Sequence, residues 1–368
     1  MLTNYIEKLE FNKIIDILTN TCITEIGKSL AKNLQPKNKK DIVSMLLKET
    51  TEATTLIYKK QIPPFAEITN FDYIEKMLKS NSSLNAKNLL EVAHILKLAN
   101  NLKIYFFDDN EDTTSLFPIL DKYFSMLYIN PSICAEIEKC ILDEDSIVDN
   151  ASGELLNIRR KERNLEETIK NKLNSFIHSA LYSKYIQENV ITIRNDRYVI
   201  PIKEEYRSNV KGFVHDVSSS GSTVFIEPMN IFELNNEIAN LKLDELKEIE
   251  KILFRLSTLL FPIICELKTN VEIMGKLDFI FSKAKYSIEL DGIEPELNDN
   301  KFINLLSARH PFIPKASVVP IDINLGINFS SLVITGPNTG GKTVTLKTVR
   351  TTYFNGLQWA SHSSKRKE

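Results

Sequence analysis

The sequence predicts a mainly α-helical protein with a small β tip and the beginning of an α/β phosphate-loop domain. Three observations predict this class. Apolar residues recur at helical spacing through most of the first 150 residues. A stretch rich in β-branched residues lies between two long helical patterns. A glycine-rich G-x-x-x-x-G-K-T sequence stands near the end of the chain.

The composition is that of an ordinary globular protein. The 368 residues are 43% hydrophobic and 26% charged with a net charge of −2, so any nucleic-acid surface must be a local patch. The N-terminus lacks a signal-peptide pattern, and the longest apolar run, "LSTLLFPIIC", is about half a membrane span. We therefore expect a cytoplasmic protein. The cysteines show no metal-ligand spacing and are expected to be buried free thiols: Cys22, Cys134, Cys140 and Cys265.

Residues 1–150 are expected to form a bundle of six or seven helices. Prolines and Asn/Asp clusters separate the helical segments. The apolar positions that carry the helical spacing are Leu9, Ile14, Ile17, Leu18, Leu89, Val92, Ile95, Leu96 and Ala99.

Residues 151–290 are expected to form an antiparallel arm with a β tip at about 190–228. One helix is predicted over 152–189, and a second begins after Pro228. The narrow apolar stripe of the first is typical of a helix that packs on one partner: Leu165, Ile169, Leu173, Phe176 and Ala180. The second carries Ile231, Leu234, Ile238 and Leu241 and, after a slip, Leu246, Ile249, Leu253 and Leu256.

Residues 291–349 are expected to begin an α/β domain around the phosphate loop. Glycines let backbone amides turn toward phosphate oxygens, Lys342 would neutralise the β- and γ-phosphates, and Thr343 would give a hydroxyl to Mg²⁺. A chance glycine-rich turn is the alternative, but "SLVIT" before the loop predicts a buried strand and "KTVTLKTV" after it predicts a helix. The loop consists of Gly336, Pro337, Asn338, Thr339, Gly340, Gly341, Lys342 and Thr343.

The loop "TGPNTGGKTVTLKTV" resembles that of the MutS family of ATPases, in particular its bacterial type-two paralogues. Three further segments are similar in the same order along residues 1–349. They are "LEFNKIIDIL…EIGKSLAKNLQP", "RNDRYVIPIKEEYRSNVKGFVHDVSSSGSTVFIEP", and "SARHPFI" with "VVPIDINLG". One departure is Ile321, where the resemblance leads us to expect Asn before Asp322.

The resemblance implies core and lever helices, a clamp on a helical arm, and an ABC-superclass ATPase domain that uses ATP and Mg²⁺ and works as a homodimer. It implies action on branched or mismatched DNA, in DNA repair and the suppression of recombination, or on ribosomal RNA of stalled or collided ribosomes. Relatives also carry a C-terminal nuclease domain.

Outside the loop, each candidate has two open interpretations. The first group either flanks the adenine, as the resemblance implies, or forms a structural turn: Arg309, His310 and Pro311. The second group, five cations of the clamp segment, either contacts phosphates or belongs to a solvated charged face: Arg194, Arg197, Lys203, Arg207 and Lys211. The "SSSGS" turn is either a phosphate contact or a flexible loop.

The 25 residues after Thr343 are too few for the acidic strand and the signature segment that an ABC-type ATPase needs, so we expect no hydrolysis. From Arg350 the tail leaves the apolar pattern of a continuing helix. A one-base shift of hypothetical codons turns it into a sequence like that of the relatives, so we interpret 350–368 as a frameshifted tail. Three functions stay open: an ATP-gated clamp, a non-enzymatic nucleic-acid or partner-binding module, and an inert fragment.

Overall fold

The computed structural model describes residues 10–37, 39–68, 71–107, 116–300, 302–337 and 341–358, with side-chain burial up to Thr352. The chain divides into two compact units. The first comprises Met1–Lys76, Glu91–Cys134 and Pro262–Glu368, and the second comprises Met77–Leu90 and Ala135–Phe261. The described residues form eleven α-helices and six short strands, which confirms the mainly α class.

Seven helices precede the arm, as the apolar spacing predicts. In the described part of residues 1–150 they are α1 (Phe11–Thr21), α2 (Glu25–Lys32), α3 (Lys40–Lys60), α4 (Phe71–Lys79), α5 (Ala86–Phe107), α6 (Pro118–Met126) and α7 (Pro131–Cys140). The arm and tip contain α8 (Gly153–Ile177), β1 (Thr192–Arg194), β2 (Arg197–Lys203), β3 (Gly212–Val217), β4 (Thr223–Pro228) and α9 (Phe232–Thr258). The remainder is α10 (Ile264–Glu289), β5 (Ile303–Ala308), β6 (Ile321–Leu325) and α11 (Lys342–Gln358).

Helix α10 is the central helix of the first unit, because side chains on all its sides are buried. Two glycines bring α2 against it. A Cβ on Gly275 would lie 2.4 Å from Ile26, and a Cβ on Gly27 would lie 2.6 Å from Asp278 Oδ2. That carboxylate accepts hydrogen bonds from the backbone nitrogens of Ile23 and Thr24, so it covers the positive end of α2.

The core of the first unit also encloses a small group of charges. Glu49 of α3 and Lys283 of α10 are each 1% exposed. Tyr123 donates a hydrogen bond to Glu49 Oε1 at 2.7 Å, and Lys276 Nζ lies 3.6 Å from the same oxygen. Each charge is therefore compensated by a neighbour, as buried charges must be.

In the second unit, α8 and α9 pair as an antiparallel arm. Ser152 Oγ donates to Glu248 Oε1, and about two turns further along α8 Arg159 Nε donates to Glu245 Oε1. The partner number falls as the α8 number rises, which establishes the direction. The predicted stripe is confirmed at Ile169 and Leu173, which are buried, whereas Ala180 is exposed beyond the end of α8. On α9, however, Leu246 is 59% exposed, so the predicted stripe is interrupted there.

The prediction of one helix over 152–189 was wrong, because α8 ends at Ile177. After it, Tyr182 stacks on Phe176 with ring centroids 4.0 Å apart. Ile186 forms an isolated bridge with Ile202, which belongs to β2. The Gln187 N–H donates to the Pro201 carbonyl, and the Tyr185 carbonyl accepts from the Lys203 N–H. This pairing with β2 competes with continuation of the helix.

The tip is a four-stranded antiparallel sheet in the order β1-β2-β4-β3. Ile200 of β2 lies opposite Ile226 of β4, and both are buried against apolar residues of α8 and α9. The short strands predicted at about 190–228 are confirmed. Strands β5 and β6 form a separate antiparallel pair in the first unit.

Two further predictions need correction. Cys265 is exposed, whereas the other three free cysteines are buried. Helix α11 continues beyond Val349 to Gln358, and Thr351 and Thr352 are buried on it, so the loss of apolar pattern does not end the helix. Residues 359–368 lie outside the described residues. Among those that are described, no helix is both long enough and apolar enough to cross a membrane.

Candidate functional site

The described part of the phosphate loop has a backbone suited to glycine. Gly336 has φ 148° and Gly341 has φ 78°, both in the range that other residues avoid. Lys342 Nζ donates a hydrogen bond to the Gly336 carbonyl at 2.6 Å, so the lysine closes the loop from its far end. Asn338, Thr339 and Gly340 lie outside the described residues.

The loop opens directly into α11, which begins at Lys342. The first turn of this helix contains no acidic side chain, so its positive end offers its amides without a competing carboxylate. Thr343 is exposed at this end. The residues present therefore fit a nucleotide phosphate: the loop and Lys342 would hold the oxygens, and Thr343 would hold Mg²⁺, which would neutralise phosphate charge.

The buried strand predicted at "SLVIT" was wrong. Residues 331–335 have no strand pairing in the described structure, and Val333 is 81% exposed while Leu332 is 46% exposed. A strand before a phosphate loop is stabilised by neighbours in a parallel sheet. No described strand lies beside 331–335, so its backbone has no ladder to join.

The candidate adenine segment lies at a cleft of about 330 Å³, lined in part by Arg309, His310, Phe312 and Lys315. This volume falls at the lower end of the range for small-molecule sites. Arg309 therefore reaches the cleft from the segment that the sequence singled out. Lys315 pairs with Asp291 at 2.7 Å across the same cleft.

His310 is itself part of the segment's turn. It is 6% exposed, and its Nδ1 accepts a hydrogen bond from the backbone nitrogen of Phe312 at 3.3 Å. Its Nε2 lies 3.7 Å from Glu10 Oε2. Burial lowers the pKa of His310, while the Glu10 carboxylate acts in the opposite direction. These contacts favour the structural interpretation for the imidazole.

Sequence reasoning missed Glu10, which contacts both the candidate adenine segment and the helix after the phosphate loop. Its carboxylate lies near His310 and also 3.4 Å from Lys347 Nζ, on the helix that follows the phosphate loop. The hydrogen bond from Lys13 lowers the pKa of Glu10. No local pattern could have revealed this contact, because about 300 residues separate Glu10 from its partners.

Of the five candidate cations of the tip, Arg197 has an internal role. Its Nη1 donates to Glu227 Oε1 at 3.0 Å, and its Nη2 donates to Asn236 Oδ1 at 2.7 Å. Glu227 is fully buried and also accepts from Asn235 Nδ2 at 2.7 Å, with His215 Nε2 2.6 Å from its other oxygen. The guanidinium therefore neutralises a buried carboxylate, which the sequence-based hypothesis of phosphate contact did not anticipate.

Arg194 is also engaged within the clamp. Its guanidinium carbon lies 4.3 Å from the centroid of the Phe225 ring, and Nε lies 3.1 Å from Asp216 Oδ2. The guanidinium thus lies against an aromatic ring and a carboxylate, although its side chain is 41% exposed.

Three clamp cations lie together around the short 3-10 turn Glu204–Asn209. Lys203 precedes this turn, Arg207 lies in it, and Lys211 follows it. Arg207 is 56% exposed, and its Nη1 lies 3.9 Å from Glu204 Oε1, which is a long distance for an ion pair. Lys211 is exposed. We call Lys203, Arg207 and Lys211 the clamp cations hereafter.

The "SSSGS" sequence forms a closed hairpin turn between β3 and β4. Gly221 donates its backbone N–H to the Ser218 carbonyl at 2.8 Å, and Thr223 donates its N–H to Ser218 Oγ at 3.0 Å. Ser220 and Ser222 hydroxyls lie 2.8 Å apart. The turn is therefore closed by its own hydrogen bonds.

No family model matches the chain. Curated relatives do, and all three described here are named endonuclease MutS2. The identity over 341 residues is 46% with the protein of Acetivibrio thermocellus, 44% with that of Clostridioides difficile and 43% with that of Ruminiclostridium cellulolyticum. In each case the match covers 93% of this chain and 43% of the relative, so the chain spans less than half the length of these proteins. The loop, the clamp and this similarity together lead to one conclusion: the chain belongs to the MutS2 group of the MutS family.

Proposed function

We propose that the protein is an ATP-binding clamp that acts on branched or mismatched DNA, in repair and the suppression of recombination, or on stalled or collided ribosomes. The observation that carries this proposal is an arm of paired helices ending in a four-stranded sheet, within a chain that also has a glycine-rich phosphate loop. The similar proteins are named endonuclease MutS2, and this name supports action on nucleic acid.

ATP would bind at the phosphate loop with Mg²⁺, and Arg309 would lie on the adenine side. We further propose that residues 1–368 alone bind ATP without hydrolysing it, because Glu368 is the only carboxylate side chain after Thr343. The protein would act as a homodimer in the cytoplasm.

A second candidate is a non-enzymatic nucleic-acid or partner-binding module. The exposure of Val333 favours it, since the strand that should support the loop is unpaired in the described structure. The arm and the tip, by contrast, have a continuous apolar core. In this case binding would depend on the clamp and not on ATP.

Nucleotide binding is tested with a fluorescent ATP analogue, with and without Mg²⁺. Lys342→Ala should weaken binding at least about tenfold, because a charge-assisted phosphate contact is lost. Thr343→Ala should reduce the effect of Mg²⁺. Lys247→Ala, which removes a 68% exposed lysine of the arm, is the matched control and should change nothing. Equal affinity of all three variants would refute the assignment of the loop.

The clamp is tested by anisotropy with a four-way DNA junction and by co-sedimentation with ribosomes. Alanine at the three clamp cations should weaken binding. The number of phosphate contacts inferred from the slope of log K against log salt should fall by up to about three. Alanine at Lys247 and Lys251 of the arm is the control. A response of either ligand to ATP supports the ATP-gated clamp, whereas binding that ignores ATP favours the second candidate. If the triple variant of the clamp cations and the double control variant of the arm bind alike, the clamp is not the contact surface.

A further inference from the structure

A groove of about 770 Å³ runs over the surface of the first unit, apart from the phosphate loop and its cleft. The N-terminal end of α2 forms one wall, and Glu67, Ile68 and the first residues of α4 form the other. The second and third turns of α10 close the floor. We call this feature the acidic groove.

The charges that line the groove are almost all negative. Among the described lining residues Lys268 is the one cation, and it donates to Glu75 Oε1 at 3.1 Å. Lys28, outside the lining, pairs with Glu25 Oε1 at 3.0 Å. The pKa of Lys268 is raised by this hydrogen bond and by the carboxylates of Glu272 and Asp72. Five carboxylate side chains line the groove: Glu25, Glu67, Asp72, Glu75 and Glu272.

The floor of the groove is apolar. Ile68, Phe71 and Val271 are each less than 10% exposed and pack beneath the opening. Tyr73 stands at the edge with 51% of its surface exposed. A charged surface that only contacts water has no apolar floor. An apolar patch beside charged side chains is typical of a binding surface.

The groove is also held in a fixed shape. Gly275 of α10 lets Ile26, which lines the groove, approach within contact distance, and Asp278 binds the backbone at Thr24, another lining residue. The wall formed by the N-terminal end of α2 is thus positioned by close packing and by a buried hydrogen bond. A preformed groove requires little ordering upon binding.

We propose that the acidic groove binds a lysine- or arginine-rich amphipathic segment of a partner protein. The apolar side of such a segment would cover Ile68, Phe71 and Tyr73, and its cations would lie against the five carboxylates. Charge excludes the other classes of occupant: nucleic acid and anionic lipid would both be repelled. The charge of the groove is therefore opposite in sign to that of the clamp cations. The protein would bind a basic polypeptide and a polyanion at separate surfaces. This inference does not depend on ATP binding.

The probe is a labelled 14-residue amphipathic peptide of leucine and lysine, titrated against the full chain by anisotropy. The same peptide with glutamate in place of lysine is the ligand control. The lysine peptide should bind, and raising the salt concentration should weaken it, whereas the glutamate peptide should not bind. Binding of both peptides alike, or stronger binding of a single-stranded oligonucleotide at this groove, would overturn the proposal.

The location is tested by charge reversal. Asp72→Lys with Glu272→Lys should weaken the lysine peptide at least about tenfold, since two favourable contacts become repulsive. Asp244→Lys with Glu250→Lys makes the same charge change on exposed positions of α9 and should have less than about a twofold effect. Equal weakening by the two double variants would show that only net charge matters and would overturn the proposal.

A third variant separates the apolar contribution. Tyr73→Ala removes an exposed ring without changing charge, so the fold and the salt dependence should be preserved while affinity falls about fivefold. Unchanged affinity in this variant, with circular dichroism equal to that of the parent, would contradict docking in the groove.

Discussion

Lys283 offers a direct test of how the core of the first unit holds its charges. Its side chain is 1% exposed on α10, and its Nζ lies 5.1 Å from the centroid of the Phe279 ring. Burial lowers the pKa of Lys283 from 10.5 to about 8, although the Glu49 carboxylate acts in the opposite direction. The folded protein therefore releases this proton far more readily than the unfolded chain does.

The sign and the size of the effect follow from this difference. Below about pH 8 the lysine is protonated in both states, and the folded state bears the full cost of the buried charge. Between about pH 8 and pH 10.5 only the unfolded chain keeps the proton, so the free energy of unfolding rises with pH. From pH 7 to pH 10 this single group should add about 2.5 kcal/mol to that free energy.

The perturbation is Lys283→Met, which keeps a long side chain but removes the charge. Urea unfolding followed by far-ultraviolet circular dichroism would give the free energy of unfolding at pH 7 and pH 10. The difference between parent and variant should change by about 2.5 kcal/mol between the two pH values, in favour of the parent at pH 10. Taking this difference cancels the contributions of tyrosines and cysteines that titrate in the same range.

The control is Lys251→Met, which removes a lysine that is 75% exposed on the arm. Its difference from the parent should be the same at both pH values, because water solvates this lysine whether or not the chain is folded. If the Lys283→Met difference is also constant with pH, the lysine is solvated in the folded state, and the account of a buried, compensated charge is refuted.

Two further substitutions test packing and the clamp interior. Gly275→Ala should lower the free energy of unfolding by about 1 to 3 kcal/mol, because its Cβ would lie 2.4 Å from Ile26; Gly153→Ala has open space around it and should be neutral or slightly stabilising in the same urea experiment. Glu227→Gln should destabilise the protein by about 2 to 3 kcal/mol, since the buried pair with Arg197 loses one charge. An unchanged urea midpoint would show that water solvates Arg197 fully.

The sequence alone determined the mainly α class, the arm and the phosphate loop. Each depends on a pattern that is local along the chain. The helical spacing of Ile169 and Leu173 predicts one buried face, and the β-branched residues around Ile200 predict a strand in the tip. The glycine-rich motif predicts a phosphate loop, and in the structure Gly336 and Gly341 both have positive φ. Family membership followed for the same reason, since the motifs are contiguous.

Local patterns could not reveal which charges are used internally. Arg197 and Arg207 look alike in the sequence, but only Arg197 lies next to the buried Glu227, whose position depends on the register of β4. The helix predicted over 152–189 ends at Ile177 because the following residues bond to β2. In both cases a partner distant in sequence offers a better hydrogen bond than the local alternative.

Tertiary structure also decided which residues share a site. Glu10 reaches both His310 and Lys347, and the acidic groove joins residues from positions near 25, 70 and 270. The segment 331–335 has the composition of a buried strand, yet it remains exposed because strand formation requires a neighbouring strand. Residue type and spacing thus determine helices, turns and the phosphate loop. Burial, ion pairing and strand pairing depend on chain segments that only folding brings together.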